Sequence, residues 1–215
     1  MRIADNIFLF DGIGNSSNLY LMDNQLLVDT GLGISFERII GEIKEAGLQP
    51  EKIKIILNTH CHYDHIGGNN LFKKLTNADV YALEIDAENI ETGKNTFYEL
   101  FGNNFISSKI DRKLKDGEII KTKNYSFRVI HTPGHTKGSI CLYEPKKKIL
   151  ISGDTLFSDS VGRADLTGGN ETELINSLKK LQKLDTELLL PGHGNFKKGG
   201  VNGLIKNMIN FLEEQ

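Results

Sequence analysis

Between Ile56 and Asn70 the chain reads ILNTHCHYDHIGGNN, and the six residues from His60 to His65 hold three of the chain's six histidines together with Asp64. Imidazole nitrogen and carboxylate oxygen form a borderline ligand set that suits zinc, iron or manganese better than magnesium or copper(I). Three imidazoles packed together away from water, with no metal among them, would be costly to protonate and poorly satisfied when neutral. The HxHxDH pattern therefore points to metal binding. His60 and His62 alternate along one side of the chain and are placed to share one ion, while Asp64 and His65, past a bend, are placed to begin a second.

Four ligands do not complete two catalytic sites, each of which takes about three protein ligands and leaves a position for water or substrate. Three other places have the build expected of the missing ones: an apolar strand, a sharp Gly or Pro turn, then a metal-capable side chain. They are VIHTPGHT with His135, LISGDT with Asp154 and LLLPGHG with His193. His131, two residues before Pro133, is not expected to be a ligand. Cys61, on the alternate side from His60 and His62, and Cys141, in mid-strand, are expected to be buried fillers.

Elements able to hold these turns are legible around them. NIFLF, NLYLM and QLLVDTG, separated by GIGNSS and MDN, read as hairpin-linked strands. ISFERIIGEIKEA places Phe36, Ile39, Ile40 and Ile43 at helical spacing and ends at Gly47, an amphipathic helix with a stop signal. KIKIIL, a β-branched run too short for a helix, is a buried strand that ends just before the cluster. GGNNLFKKL reads as a short helix and DVYAL as the next strand, while the polar stretch 84–112, with Phe97, Tyr98, Phe101 and Phe105, reads as helical and as a cover for the site. In the second half, YSFRVIHTPGH and GSICLYEPKKKILISGD give three strands with a solvated lysine turn. NETELINSLKKLQKL is a helix capped near Asn170 or Thr172 with Leu174, Leu178 and Leu181 on one stripe, followed by the strand ELLLPGHG and a closing helix from Val201 to Leu212. So many hairpins exceed what a simple parallel sheet needs. The expected fold is α/β, two mixed sheets packed face to face with helices outside, in a single domain over residues 1–215.

Composition narrows the function. A net charge of -2, from 26 basic and 28 acidic side chains spread along the chain, argues against nucleic acid or a membrane surface as partner and for a small-molecule substrate. No apolar run approaches the ~20 residues of a membrane helix. Two cysteines and no apolar leader behind a basic start suggest a cytoplasmic, reduced protein.

THCHYDHIGG, TPGHT, GDTLF and PGHG, in this order, resemble the metallo-β-lactamase superfamily, and VDTG at Val28 to Gly31 matches a further block. The resemblance implies the four-layer αββα sandwich of that family. It also implies one metal held by His60, His62 and His135 and a second by Asp64, His65 and His193, with Asp154 bridging and Asp29 supporting the ligand turns. The β-lactamases that use zinc commonly carry cysteine where this chain has Asp154. GDTLFSDSVGRADLTGG is most similar to the glyoxalase II (hydroxyacylglutathione hydrolase) branch and to the related persulfide dioxygenases. Only 22 residues follow His193, so the glutathione-binding helical domain of glyoxalase II is not expected.

The activity implied is hydrolysis of a small thioester or related ester by hydroxide shared between two divalent ions, zinc first, with iron or manganese as the other candidates. Asp64 and Asp154 are the catalytic carboxylates, Asp64 both ligating and orienting the water. A thiolate, with a pKa of about 8.5, leaves without a dedicated general acid. Arg163 is the candidate for gripping a substrate carboxylate through two parallel hydrogen bonds, its rival role being an ion pair with Asp159 or Asp165 that fixes the loop. The alternative activity is a mononuclear iron oxidoreductase of the persulfide dioxygenase kind. A lactonase and a non-enzymatic metal-binding domain are weaker alternatives.

Overall fold

Short apolar runs broken by turn residues build the first of two units in this computed structural model, which describes residues 1–102 and 104–214. Asn103, within the 84–112 segment, and Gln215 lie outside the described residues. One unit is Met1–Leu114 with Thr122–Tyr125, the other Lys115–Lys121 with Ser126–Gln215.

In the first unit, β1 (Arg2–Ala4), β2 (Ile7–Phe10), β3 (Leu19–Met22) and β4 (Leu26–Val28) form an antiparallel run. The β3–β4 turn passes through Asp23 and Asn24 with φ of 52° and 55°, a left-handed conformation that Asp and Asn tolerate better than bulkier residues. From β4 onward the pairing is parallel, through β5 (Ile55–Leu57), β6 (Asp79–Leu83) and β7 (Arg112–Leu114). The crossovers are α1 (Phe36–Glu45) after β4 and α3 (Asn69–Thr76) after β5. The helix expected from ISFERIIGEIKEA is α1. Its Ile39, Ile40 and Ile43 pack into one core with Leu21, Leu27, Ile56, Val80 and Phe72, and it stops at Gly47, whose φ is 76°. The parallel register sets Val28 opposite Leu57, so β4 and β5 end flush and the residues after them emerge side by side.

Two local expectations are corrected. The cluster itself contains a short helix, α2 (Tyr63–Ile66), where only a turn was expected. Among the described residues, the 84–112 segment is helical only in α4 (Glu84–Thr92) and in a 3₁₀ turn at Tyr98–Phe101. Gly93, Asn95 and Phe97 all have positive φ, and that backbone ends the helix.

The second unit orders its strands β13-β12-β11-β10-β9-β8. They are β8 (Ile119–Lys121), β9 (Ser126–His131), β10 (Ile140–Glu144), β11 (Ile149–Gly153), β12 (Leu188–Pro191) and β13 (Lys197–Lys198). Only β11 and β12 pair in parallel. α5 (Glu171–Leu181) begins at Asn170, whose side chain accepts the Glu173 N–H at 2.9 Å, and α6 (Val201–Glu213) follows β13. Leu178 and Leu181 of α5 and Val201, Ile205 and Ile209 of α6 bury against Ile130, Cys141, Leu150 and Leu189. Among the described residues no helix is long and apolar enough to cross a membrane.

Candidate metal centre

The flush ends of β4 and β5 put Asp29 beside Thr59 and the histidines. Asp29, 2% exposed and at φ 58°, accepts the Thr59 N–H on Oδ1 at 2.8 Å. Its Oδ2 accepts the Thr59 hydroxyl at 2.8 Å and faces His65 Nδ1 at 2.8 Å. A carboxylate only accepts, so His65 Nδ1 carries the proton. The Thr59 hydroxyl has spent its one hydrogen on Asp29, so toward His60 Nδ1, 3.1 Å away, it acts as acceptor. In the neutral rings of His60 and His65, Nε2 is thereby left with its lone pair, the form a metal needs. The ring centroids of His60 and His62 lie 4.7 Å apart and those of His60 and His65 4.1 Å apart, while His65 Nε2 is 3.8 Å from Asp64 Oδ2. The first unit thus brings together all four residues expected from HxHxDH.

The second unit gathers the other three. β9, β11 and β12 run the same way and deliver their C-terminal ends to one edge, where the peptide after β12 is tied to β11 by Gly192 N–H donating to Gly153 O at 2.8 Å. His135 Nε2 and His193 Nε2 each lie 3.6 Å from Asp154 Oδ2. Two donors on one tetrahedral zinc, at about 2.0–2.1 Å each, stand roughly 3.3 Å apart. Separations of 3.6 and 3.8 Å are too long for good hydrogen bonds and close to what a shared ion would require. His135 Nδ1 lies 2.7 Å from the Arg163 carbonyl, which only accepts, so this ring also keeps its Nε2 lone pair. The donor set fits a borderline divalent cation in both units.

Residues expected to stay out of the centre have other occupations. His131 Nε2 donates to the Lys137 carbonyl at 2.8 Å. Burial first, and the Asp86 carboxylate second, hold the Cys61 thiol well above its usual range, and burial pushes the Cys141 thiol up to about 11, so neither offers the thiolate a metal prefers. The Arg163 side chain forms a two-bond fork with Asp165, at 2.9 and 2.7 Å, and that hydrogen-bonded guanidinium holds the Asp165 carboxyl down at about 2. The loop-fixing role considered for Arg163 is thus present in the structure.

Sequence reasoning missed Thr59, Asp86, the Arg163 carbonyl and Gly162. A Cβ built at Gly162 would lie 1.8 Å from the Asp154 carbonyl oxygen and 3.2 Å from His135 Nδ1. The first clash is with backbone and no rotamer relieves it. Gly162→Ala is expected to lower stability by about 1–3 kcal/mol, the usual range for overpacking, and to weaken metal binding. Thermal melting and a chelator-competition titration check both.

Residues 11–193 match the family model of the metallo-beta-lactamase superfamily. The chain belongs to the metallo-β-lactamase superfamily. It is 35% identical over 196 residues to a probable metallo-hydrolase of Methanocaldococcus jannaschii, covering 87% of this chain and 92% of that one. It is also 34% identical over 183 residues to a hydroxyacylglutathione hydrolase of Haemophilus influenzae, covering 80% and 81%. Among solved structures it is similar to a protein crystallised in a di-iron-bound form, at 30% identity and a TM-score of 0.79, with 95% of this chain and 99% of that one covered. Its two mixed sheets with helices are those of the metallo-β-lactamase fold, and the protein is a metal-binding hydrolase of that superfamily.

Proposed function

We propose that the chain hydrolyses a small thioester, or a related ester, with two divalent ions. The first is assigned to His60, His62 and His135, the second to Asp64, His65 and His193, and Asp154 would serve both. The observation that carries the reading is the fixed tautomer of His60, His65 and His135, each with Nδ1 committed to an oxygen. Rings prepared this way present an Nε2 lone pair, the form that a divalent ion takes. The groups that each unit gathers by itself, His60, His62, Asp64 and His65 in one and His135, Asp154 and His193 in the other, support the assignment. Zinc suits these ligands first, and iron or manganese next.

When bound, divalent ions of this kind bring the pKa of water from 15.7 to about 7 and polarise a carbonyl oxygen. The chain supplies the rest. Asp64, only partly buried, is placed to accept a proton from the attacking water and to orient it. Among the described residues, His131 and both thiols are otherwise engaged and do not serve as a general acid. A thiolate leaving group needs none, which favours a thioester over an amide. A substrate carboxylate that takes the place of Asp165 on the Arg163 fork completes the proposal, and both partners of that fork are exposed.

The test is release of free thiol from a panel of hydroxyacyl thioesters by the metal-loaded protein, beside oxygen uptake with a persulfide. Thiol release that is abolished by a chelator and restored by zinc is the expected result. Oxygen uptake without thiol release would establish the iron oxidoreductase alternative in its place.

A further inference from the structure

The turn Cys61–His62–Tyr63 is gripped residue by residue by one neighbouring segment. Asp86 Oδ2 accepts the Cys61 N–H at 3.0 Å. The Asn95 carbonyl lies 3.8 Å from Cys61 Sγ, and the Thr96 carbonyl accepts the Tyr63 N–H at 2.8 Å. The Phe97 ring meets the His62 ring edge to face, with centroids 5.1 Å apart and planes at 67°. All four partners come from α4 and the loop after it, and two of them are unusual in themselves. Asp86 is a carboxylate 1% exposed to solvent, a placement that burial penalises and that the N-terminal turn of α4 helps to offset. Phe97 is an aromatic residue at φ 57°, a conformation bulky side chains avoid and one that collects at functional sites.

We infer that Asp86 and Phe97 are positioning residues for the metal-ligating turn: Asp86 fixes the peptide between His60 and His62, and Phe97 fixes the rotation of the His62 ring. The inference rests on the metallo-hydrolase reading above. His60 and His62 flank the one peptide N–H that Asp86 holds, so a change there moves both rings relative to each other. The contact of Phe97 is with a ring rather than a backbone group, so its loss frees His62 alone. The contacts that carry the roles are with the Cys61 N–H and the His62 ring.

Cobalt(II) is the probe, titrated into metal-free protein against a competing chelator, with the visible spectrum and the melting temperature of the metal-free form recorded on each sample. Asp86→Ala and Phe97→Ala are expected to weaken cobalt binding about 10–100-fold, the usual cost of losing a group that orients a ligand, and to alter the cobalt absorption bands. Asp86→Asn keeps an oxygen that accepts the Cys61 N–H, and Phe97→Tyr keeps the ring, so both are expected to recover most of the affinity. Lower melting with wild-type cobalt affinity and spectrum in the two alanine variants would reduce the segment to structural support and overturn the inference. Failure of both conservative variants to recover affinity would overturn it too. Wild-type protein that binds cobalt but hydrolyses no thioester removes the functional reading alone. Wild-type protein that binds no cobalt removes both.

Discussion

Asp29→Asn is expected to cost about two orders of magnitude in activity, the upper end of the scale seen when a group that orients a metal-ligating histidine is lost, while the fold survives. Asn tolerates the left-handed backbone at position 29 as well as Asp does, so the change isolates the hydrogen bonds from backbone strain. Two orientations of the new amide are open. With its nitrogen at the Oδ1 position it faces the Thr59 N–H, a donor that cannot reverse, and folding loses about 1–3 kcal/mol. With its nitrogen at the Oδ2 position it faces Thr59 Oγ and His65 Nδ1, which can reverse. His65 then moves its proton to Nε2, and Thr59 turns its hydrogen toward His60 Nδ1, which drives the His60 proton to Nε2 as well. Either way the ligands are lost or the fold is strained. Chelator competition is expected to show metal affinity at least about 100-fold weaker, with a melting temperature lowered by no more than about 10 °C. Wild-type affinity in Asp29→Asn would show that the tautomers are not held by this carboxylate.

Asp154→Ala is expected to have an effect at least as large by a different route. Both His135 Nε2 and His193 Nε2 stand 3.6 Å from the same Asp154 oxygen, so this carboxylate is common to ligands assigned to both ions. Without it the remaining ligands would hold the ions about 100-fold more weakly, which costs about two decades of loaded sites at limiting metal. Misplacement of the nucleophile by about 1 Å costs about two more. Removing a carboxylate that sits among imidazoles should leave the melting temperature of the metal-free protein little changed. Steady-state kinetics and metal analysis on one sample check this, and a variant with most of its activity would remove Asp154 from the centre.

The candidate ligands were legible because metal chemistry restricts residue type, and strand-end glycines mark where such residues can converge. His60, His62, Asp64 and His65 form one group and His135, Asp154 and His193 another for that reason. The longer strands and the helices α1, α5 and α6 were legible from the spacing of their apolar residues. The strands β1, β7, β8 and β13 were not, because their two or three residues, such as Lys197–Lys198, mix in charge and form no apolar run, unlike the equally short β4 and β5. The groups that orient the ligands were also out of reach. The Arg163 carbonyl is backbone and has no residue type to read, and Asp86 acts across 25 positions of sequence on the N–H of Cys61. The 84–112 segment looked helical by its polarity, but left-handed residues at Asn95 and Phe97, where no glycine announces them, set its course.

Elemental analysis of the purified protein decides whether seven side chains hold a pair of ions. About two divalent ions per chain are expected, falling to one or fewer in Asp154→Ala. A single iron per chain that Asp64→Ala and His193→Ala leave in place would contradict this, because those ligands would then have no ion to hold.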